Sequence, residues 1–292
     1  MNIIMTINGG MGKSVFATAV CRAIKRWHPN SKLIVVTSYP DVFSGLDSVD
    51  MAFHHGQEAY FYQKYVENQE VMVFAQEPYL ATEHIQNAEH IIESWCRLIG
   101  VPYSGEMPEV FINQRERLFY QNKYSFQKET MILQTNGGGA GPNELKYSWA
   151  RDMPAIIAEA IIREFSNNYQ ILHIRKEEQI PFEGTTPIQE NYKGIAYLIE
   201  RSSKRVLIDS VCQHIAAALG KKSTVLWVAN KPNVFGYSLH DNIVANPETI
   251  KPDLRNSFLG KYNIGGAINE FPYRNEKEIF NIDRIIESIN QQ

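Results

Sequence analysis

Cysteine is scarce in this sequence, and long apolar runs are missing. The 292 residues include three cysteines, Cys21, Cys96 and Cys212, and none of them has the CxxC spacing of a metal or redox site. An odd number of separated thiols without a secretory leader is typical of reduced cysteines in the cytosol. No stretch reaches the roughly 20 apolar residues that a membrane span needs. We therefore expect a cytoplasmic protein without disulfides, a metal site or integral membrane association.

An excess of charge of one sign is missing as well. The 29 Lys and Arg residues and the 32 Asp and Glu residues give a formal net charge of −3 at pH 7. Proteins that wrap a polyanion carry a basic excess, so the composition gives no indication of such a partner. The chain does have 44% hydrophobic residues, over a length that suffices for two cores of ordinary domain size.

Apolar runs and helix-like patterns alternate along the whole chain. Apolar runs at 2–7 and 32–37 enclose a stretch of helical spacing at 14–27, which predicts a βαβ unit. The same alternation restarts at residue 130. The pattern predicts an α/β fold with two Rossmann-like domains whose parallel sheets face a cleft. Ligands of such sheets bind at the carboxyl ends of the strands, so the cleft is the expected site.

The domain boundaries are predicted from the same pattern. The polar stretch at 114–128 is interpreted as a linker. We therefore predict an N-terminal domain over 1–126 and a C-terminal domain over 127–275. The segment 276–292 has apolar residues at helical spacing, which predicts an amphipathic helix that could pack back on the N-terminal domain.

A glycine loop at 8–14 follows the first predicted strand, where backbone N–H groups and a helix dipole favour an anion. A P-loop would need glycine at position 7, which is Ile7 here, and the deviant P-loop of some ATPases would need lysine in place of Asn8. We find no aspartate suited to Mg²⁺ at the end of a later strand in this half. A P-loop-like ATPase therefore stays a minor alternative, beside the alternative that the glycines only permit a tight turn.

The segment at 208–236 resembles the D-[ST]-G-x-x-H-x-A-A-A-L-G-K-P-T-x-x-L-[FW] pattern of the heptosyltransferases, glycosyltransferase family 9. The departures are Val211 in place of the glycine, and Lys222 and Ser223 around the family's proline. The resemblance is long and ordered. The matching residues are Asp209, Ser210, His214, the run at 216–220, Lys221, Thr224, Leu226 and Trp227.

Two further segments resemble the same family. The opening from Gly9 is similar to its GGxGD pattern, and Lys146, Trp149 and Pro154 are similar to its K-x-W-P element with the proline displaced. A glycine run precedes this element, and its residues are candidates for close approach of a donor. They are Gly137, Gly138 and Gly139.

The resemblance implies a fold of the GT-B type and a glycosyltransferase. Such an enzyme moves a sugar from a nucleotide-diphosphate sugar to an acceptor hydroxyl, with inversion and without a metal. The C-terminal domain would hold the nucleotide sugar, and the N-terminal domain would present the acceptor. The nucleotide sugar is then a substrate, and no permanently bound cofactor is expected. A glycan, a lipid-linked saccharide or another hydroxyl compound, a modified nucleobase included, would serve as acceptor, and the type of sugar stays open.

The candidate residues of the donor site surround the second resemblance segment. Asp209, Ser210 and His214 lie between a predicted strand and a predicted helix, where a phosphate would meet a helix N-terminus, a hydroxyl and an imidazole. Asp209 is equally suited to cap that helix, and His214 to pack within its turn. Lys146 would neutralise a phosphate, or it is an ordinary solvated charge. The glycines at 137–139 complete the set.

Catalysis is the point at which the resemblance breaks. The family has an aspartate, proposed as general base, directly after the GGxG turn, and this chain has Lys13 there. A protonated lysine cannot accept the proton of an acceptor hydroxyl, so Lys13 either is retuned or binds an anionic group. Asp41 is the nearest carboxylate after the strand at 32–37, although it also suits a turn after Pro40. A non-catalytic nucleotide- or glycan-binding relative is therefore the main alternative to an enzyme.

Overall fold

The structure is a computed structural model that describes residues 1–137, 150–252 and 272–292. Within them the chain forms two parallel sheets flanked by helices, one of four strands and one of six. Three of the candidate residues, Gly138, Gly139 and Lys146, lie outside the described residues.

The strands are short and consist mainly of buried apolar side chains. They are β1 (Asn2–Ile7), β2 (Lys32–Thr37), β3 (Met51–His54), β4 (Val71–Phe74), β5 (Thr130–Gln134), β6 (Gln170–Ile174), β7 (Thr185–Ile188), β8 (Lys204–Ile208), β9 (Thr224–Trp227) and β10 (Asp241–Val244). Because β1, β2, β5 and β8 are covered on both faces, their side chains are buried almost throughout, as expected for parallel sheets.

The helices connect and cover these strands. They are α1 (Met11–Trp27), α2 (Phe61–Tyr65), α3 (Thr82–Ile85), α4 (Ile91–Leu98), α5 (Gln114–Lys123), α6 (Ala155–Phe165), α7 (Tyr192–Arg201), α8 (Val211–Ala218), α9 (Pro232–Phe235) and α10 (Ile282–Asn290). Single turns of 3-10 helix lie at Pro40–Val42, Pro78–Leu80, Pro247–Thr249 and Glu276–Glu278. Of the described helices, none has both the length and the apolar composition that crossing a membrane requires.

Each sheet has one point at which the strand order reverses. The first sheet has the order β3-β2-β1-β4, so the chain leaves β1 on one side and returns to β4 on the other. The second sheet has the order β10-β9-β8-β5-β6-β7, with the reversal between β5 and β8. The loops after the two central strands separate at such a point and leave a crevice at the carboxyl edge. The fold therefore provides one crevice on each sheet.

Helix α1 joins the two halves of the molecule. Its side chains are buried along most of its length, because it packs on the first sheet and also against α4 and α8. The ring of Phe16 lies 5.9 Å from the ring of Trp95 on α4 and 5.4 Å from the ring of His214 on α8. One apolar cluster consequently extends from Ile3 in the first sheet to Leu207 in the second.

The C-terminal helix α10 packs on the second sheet, and not on the N-terminal half as the sequence led us to expect. Ile285 and Ile289 are fully buried in the apolar cluster that α6 and the second sheet also form. The hydroxyls of Ser288 and Thr224 are 2.7 Å apart, and Arg284 forms an ion pair with Asp241 at 2.7 Å. The apolar stripe of α10 therefore covers the face of β8 and β9.

The stretch interpreted as a linker contains the helix α5. Asn113 and Glu116 form a capping box, in which each side chain accepts the backbone N–H of the other residue. This pair satisfies N–H groups that would otherwise be unpaired and fixes the start of the helix. The apolar residues at 108–113, whose pattern predicts a short strand, form none, and Glu109 donates its N–H to the hydroxyl of Thr18 on α1. The boundary between 126 and 127 stays a prediction, and it falls between α5 and β5.

Candidate functional site

The crevices of the two sheets meet where α1 and α8 begin. Helix α1 starts at Met11, directly after β1 and its glycine turn, and α8 starts at Val211, directly after β8. A Cβ atom added to Gly12 would lie 3.6 Å from the Cα of Val211 and 3.6 Å from Cδ2 of His214. The first turns of the two helices are therefore in contact. Because a helix carries partial positive charge at its N-terminus, two positive ends converge on one place.

The starts of both helices have backbone N–H groups that no side chain caps within the described part of the chain. The N-cap residues are Gly10 and Ser210, and neither helix has a side-chain cap hydrogen bond. The hydroxyl of Ser210 instead accepts a hydrogen bond of 3.2 Å from Nε2 of Gln134, at the end of β5. Asp209 is thus not the N-cap residue. N–H groups at such helix starts are suited to bind an anion.

Asp209 lies at the end of β8 with little solvent exposure. Burial raises the pKa of its carboxyl, while the charge of Arg151 and a hydrogen bond from the amide of Asn230 act in the opposite direction. Asn230 follows β9, the neighbour of β8, so the carboxyl ends of two adjacent strands hold this group. A buried carboxylate of this kind is positioned to accept hydrogen bonds from a ligand.

Arg151 lies against Gly137, the first residue of the glycine run. A Cβ atom at Gly137 would come within 2.6 Å of Cδ of Arg151, so a glycine is needed for this close approach. The N–H of Gly137 donates to Asp152 at 2.7 Å, and the amide of Asn136 donates to the other oxygen of Asp152 at 3.0 Å. The loop after β5 is thereby fixed beside a guanidinium group. Sequence reasoning missed Arg151, although its position just before Pro154, in the segment similar to K-x-W-P, was an available signal.

Lys13 forms a closed ion pair with Glu77. Its Nζ lies 2.6 Å from both carboxylate oxygens of Glu77 and over the rings of Tyr79 and Trp95, at 4.9 and 5.3 Å from their centroids. The Lys13 side chain is 3% exposed, whereas that of Glu77 is 34% exposed. Burial lowers the pKa of Lys13, and the hydrogen bond and charge of Glu77 oppose this effect. The Lys13 side chain passes Gly9 of the glycine loop, and its ammonium group is paired with a carboxylate instead of being a free cation.

Glu77 was missed by sequence reasoning, which looked for an aspartate at a strand end. Glu77 follows β4 by three residues, and β4 is the neighbour of β1 in the sheet. It is the N-cap residue of the 3-10 turn at Pro78–Leu80, with its side chain accepting the N–H of Tyr79. A carboxylate shortly after the strand next to the glycine turn was the signal that could have indicated it.

Asp41 lies apart from this arrangement. It is exposed, in the 3-10 turn that follows β2, and it borders a surface depression of about 410 Å³ together with Phe43 and Ser44. Burial lowers the pKa of Lys193, a lysine of α7, and the negative charge of Asp41 opposes this effect. Because β2 lies on the side of β1 opposite to β4, Asp41 and Glu77 are separated by the central strand. The catalytic role of Asp41 stays a prediction.

His214 is enclosed between the two halves. Its Nδ1 lies 2.8 Å from the hydroxyl of Tyr237, and its ring contacts the ring of Phe16. Burial, together with the neighbouring His90 and His240, lowers the pKa of His214 to about 3. The imidazole is consequently neutral at physiological pH. Contact with a phosphate stays a prediction, and the surroundings are those of a packed histidine.

Solved structures share the architecture of the whole chain. A family 9 glycosyl transferase from Veillonella parvula has a TM-score of 0.68 at 14% identity, covering 99% of this chain and 96% of the other. ADP-heptose LPS heptosyltransferase II of E. coli has a TM-score of 0.70 at 13% identity, covering 100% and 98%. The E. coli heptosyltransferase WaaC, solved with ADP, has a TM-score of 0.54 at 12% identity, covering 84% and 91%.

The chain has the fold of the family 9 glycosyltransferases. The prediction of two Rossmann-like domains of the GT-B type is therefore confirmed. No protein-family model and no curated protein matches the sequence at a significant level. In the residues at 1–137, 150–252 and 272–292, no group of three or more His, Cys, Asp or Glu side chains is arranged to hold a metal ion.

Proposed function

We propose that this chain transfers a sugar from a nucleotide-diphosphate sugar to an acceptor hydroxyl. The observation that carries the proposal is the contact between the uncapped starts of α1 and α8 at the strand-order reversals of both sheets. Negative charge develops on the leaving diphosphate, and fixed N–H dipoles stabilise it without reorganisation. The similar structures include one solved with ADP and one named for ADP-heptose. An ADP sugar is therefore the first donor to test.

The C-terminal half is the proposed donor side. Arg151 beside Gly137 would bind the diphosphate, and the start of α8 at Ser210 would bind it from the other side. Oε1 of Gln134 is buried and has no hydrogen-bond partner among the described residues, although Nε2 of the same amide donates to Ser210. Buried polar atoms are rarely left unpaired, so we expect a hydroxyl of the donor to donate a hydrogen bond to this oxygen.

The transfer itself is proposed to be a single displacement with inversion. The acceptor oxygen approaches from the N-terminal half and attacks the anomeric carbon while the diphosphate departs toward Arg151 and α8. Holding both reactants in one crevice supplies much of the rate enhancement. In this scheme Arg151 and the helix starts neutralise the diphosphate, so transfer is proposed to proceed without a metal ion.

A thermal-shift panel of ADP, UDP, GDP, CMP and ATP, each with Mg²⁺ and with EDTA, tests the donor site. We expect one diphosphate to raise the melting temperature equally in both conditions, because a ligand that binds only the folded state stabilises it. Arg151→Ala should abolish this increase. Arg163→Ala, which removes an exposed arginine of α6, is the matched control and should leave it unchanged. Equal shifts in both variants would remove Arg151 from the site.

A non-catalytic binder is the second candidate, and the replacement of the family's aspartate by Lys13 favours it. The position at which the family has its aspartate carries a cation that is already bound to a carboxylate. Consumption of a nucleotide sugar separates the two candidates, since a binder would show the thermal shift without turnover. An increase in melting temperature with ATP alone, and only with Mg²⁺, would favour the P-loop-like ATPase instead.

A further inference from the structure

One carboxylate lies at the strand-order reversal of the first sheet and opens toward solvent. Glu77 reaches from the end of β4 to the start of α1, where both of its oxygens meet Nζ of Lys13 at 2.6 Å. The lysine is almost completely enclosed, and about one third of the Glu77 side chain is exposed. The ammonium group is therefore buried, whereas the carboxylate is partly open to solvent.

The ion pair lies close to the C-terminal half. The ring of Tyr79 covers Nζ of Lys13 at 4.9 Å from its centroid. The same ring lies 6.2 Å from the ring of Phe235 on α9. Gly12, the residue before Lys13, lies against Val211 and His214 of α8. Lys13 and Glu77 are therefore at the place where the start of α1 meets the C-terminal half.

We propose that Glu77 is the general base of the transfer and that Lys13 is its positioning residue. This inference rests on the proposed function. A carboxylate has about four lone-pair positions, and Glu77 uses two for Lys13 and one, at 3.3 Å, for the N–H of Tyr79. A remaining position is available for the hydroxyl of an acceptor.

The step balances in protons and electrons. The acceptor oxygen forms a bond with the anomeric carbon and transfers its proton to the carboxylate of Glu77. The bond between the anomeric carbon and the diphosphate oxygen breaks, and its electron pair leaves with the nucleoside diphosphate. Lys13 holds the carboxylate in place by donating to both of its oxygens. No other reactant is needed.

The other two candidates for the base fit less well. Lys13 has no free lone pair while its ammonium group donates to Glu77. Asp41 is exposed and lies on the side of β1 opposite to β4 and Glu77. Its charge influences the pKa of Lys193 on α7. Only Glu77, of these three, combines a lone pair, partial exposure and a place at the start of α1.

Two nucleophiles that differ in their need for a base test the proposal, with ADP-heptose as the probe donor. Water must lose a proton as it attacks, whereas azide attacks as an anion. In Glu77→Gln, ADP release in water should fall roughly 100-fold, the usual contribution of a general base, while release with azide stays within about twofold of the wild type. Glu67→Gln changes an exposed glutamate of the same half and should match the wild type with both nucleophiles.

Lys13 is tested by the same pair of nucleophiles. Lys13→Met should lower the rate of ADP release in water and leave the rate with azide unchanged. Lys13→Arg keeps the charge and can donate to both oxygens of Glu77, so it should retain part of the rate in water that Lys13→Met loses. A purely structural role would lower both reactions together. Because Glu77→Gln leaves a buried ammonium group unpaired, the double variant Lys13→Met with Glu77→Gln removes both charges. It should fold and retain the release with azide.

The outcomes separate the inference from the proposed function. Two results would overturn the role of Glu77 and leave the donor site intact, provided that the variant still gives the ADP thermal shift. In the first, Glu77→Gln releases ADP in water as fast as the wild type. In the second, it loses the same fraction of the rate with both nucleophiles. The other outcome is a wild-type protein that does not bind ADP, does not release it from ADP-heptose and shows no thermal shift with UDP, GDP or CMP. That outcome would overturn the proposed function and the role of Glu77 with it.

Discussion

At the residue scale, the crevice is built from side chains that constrain one another across large distances in the sequence. Lys13 and Glu77 are 64 positions apart and belong to different secondary-structure elements. Asp209 is held by Asn230, which follows the neighbouring strand β9. Short-range patterns therefore indicated the loops of the proposed site, through the glycine turn and the residues at 209–210, but could not indicate which carboxylate accompanies Lys13.

Gly137 offers a test at this scale, because a methyl group there would displace Arg151. In Gly137→Ala the added Cβ would come within 2.6 Å of Cδ of the arginine, so its side chain has to move. We expect the diphosphate thermal shift to fall by about half or more, as contacts to a charged group contribute roughly 1.5–3 kcal/mol. Titration calorimetry with the diphosphate measures the affinity.

A double-mutant cycle supplies the control for Gly137. If the alanine acts through Arg151, then adding Gly137→Ala to Arg151→Ala should cause no further loss of affinity, since the two changes remove the same interaction. Additive losses would contradict this explanation and indicate that the glycine contacts the ligand by itself.

At the element scale, the strands with apolar or β-branched runs were predictable, and three short edge strands were not. β3, β7 and β10 have four residues each at sheet edges, with at most one buried side chain, so they show neither a period nor a continuous buried run. α5 has a polar composition, and its start depends on the capping box of Asn113 and Glu116. α10 was predictable as an amphipathic helix, whereas its partner was not, because an apolar stripe fits any apolar surface of matching width.

The docking of α10 can be measured by removing one of its buried side chains. Ile289 is fully buried against the second sheet, so Ile289→Ala should lower the free energy of unfolding by about 2–4 kcal/mol. Glu287→Ala, on the exposed face of the same helix, is the control and should change it by less than about 0.5 kcal/mol. Urea unfolding followed by circular dichroism gives both values. A loss below about 1 kcal/mol for Ile289→Ala would argue that α10 is loosely attached.

At the scale of the whole molecule, four histidines gather between the two halves. His84 and His90 come from the N-terminal half, and His214 and His240 from the C-terminal half, around Tyr237 and Phe235. Burial lowers the pKa of His214 to about 3 and those of the other three to about 4. The interface is therefore formed with neutral imidazoles.

These histidines predict a loss of stability in mild acid. The unfolded chain binds protons near pH 6.5, and the folded chain does so only near pH 4 or below, so the unfolded state binds more protons between these values. The free energy of unfolding should be constant with respect to these groups above pH 7 and fall as the pH decreases from 6.5 to 4. Each histidine contributes roughly 1–3 kcal/mol to this decrease.

Urea unfolding at several pH values between 7.5 and 4.5 checks this expectation. His90→Gln removes one titrating group from the cluster and should make the slope between pH 6.5 and 5 smaller than in the wild type. A stability that does not change between pH 6.5 and 5 would show that the cluster takes up protons without opening the interface.

The two-sheet architecture of the molecule followed from the alternation of apolar runs with helical patterns, and the solved structures confirm it. The cleft at the carboxyl ends of the strands stays a prediction, and the strand orders that place a reversal in each sheet did not follow from the alternation. The contact between the two halves did not follow. It depends on the fit of Gly12 and Phe16 of α1 to residues of α8, which no local pattern encodes.

This contact has a consequence for the order of biosynthesis. A ribosome completes α1 and the first sheet long before it reaches α8, so the face of α1 around Phe16 is without its partner while the second half is still being made. Exposed apolar surface on a nascent chain is a place for chaperone binding or aggregation. An N-terminal fragment ending before β5 would keep that face uncovered for good, and the second half has to arrive before the first can be fully native.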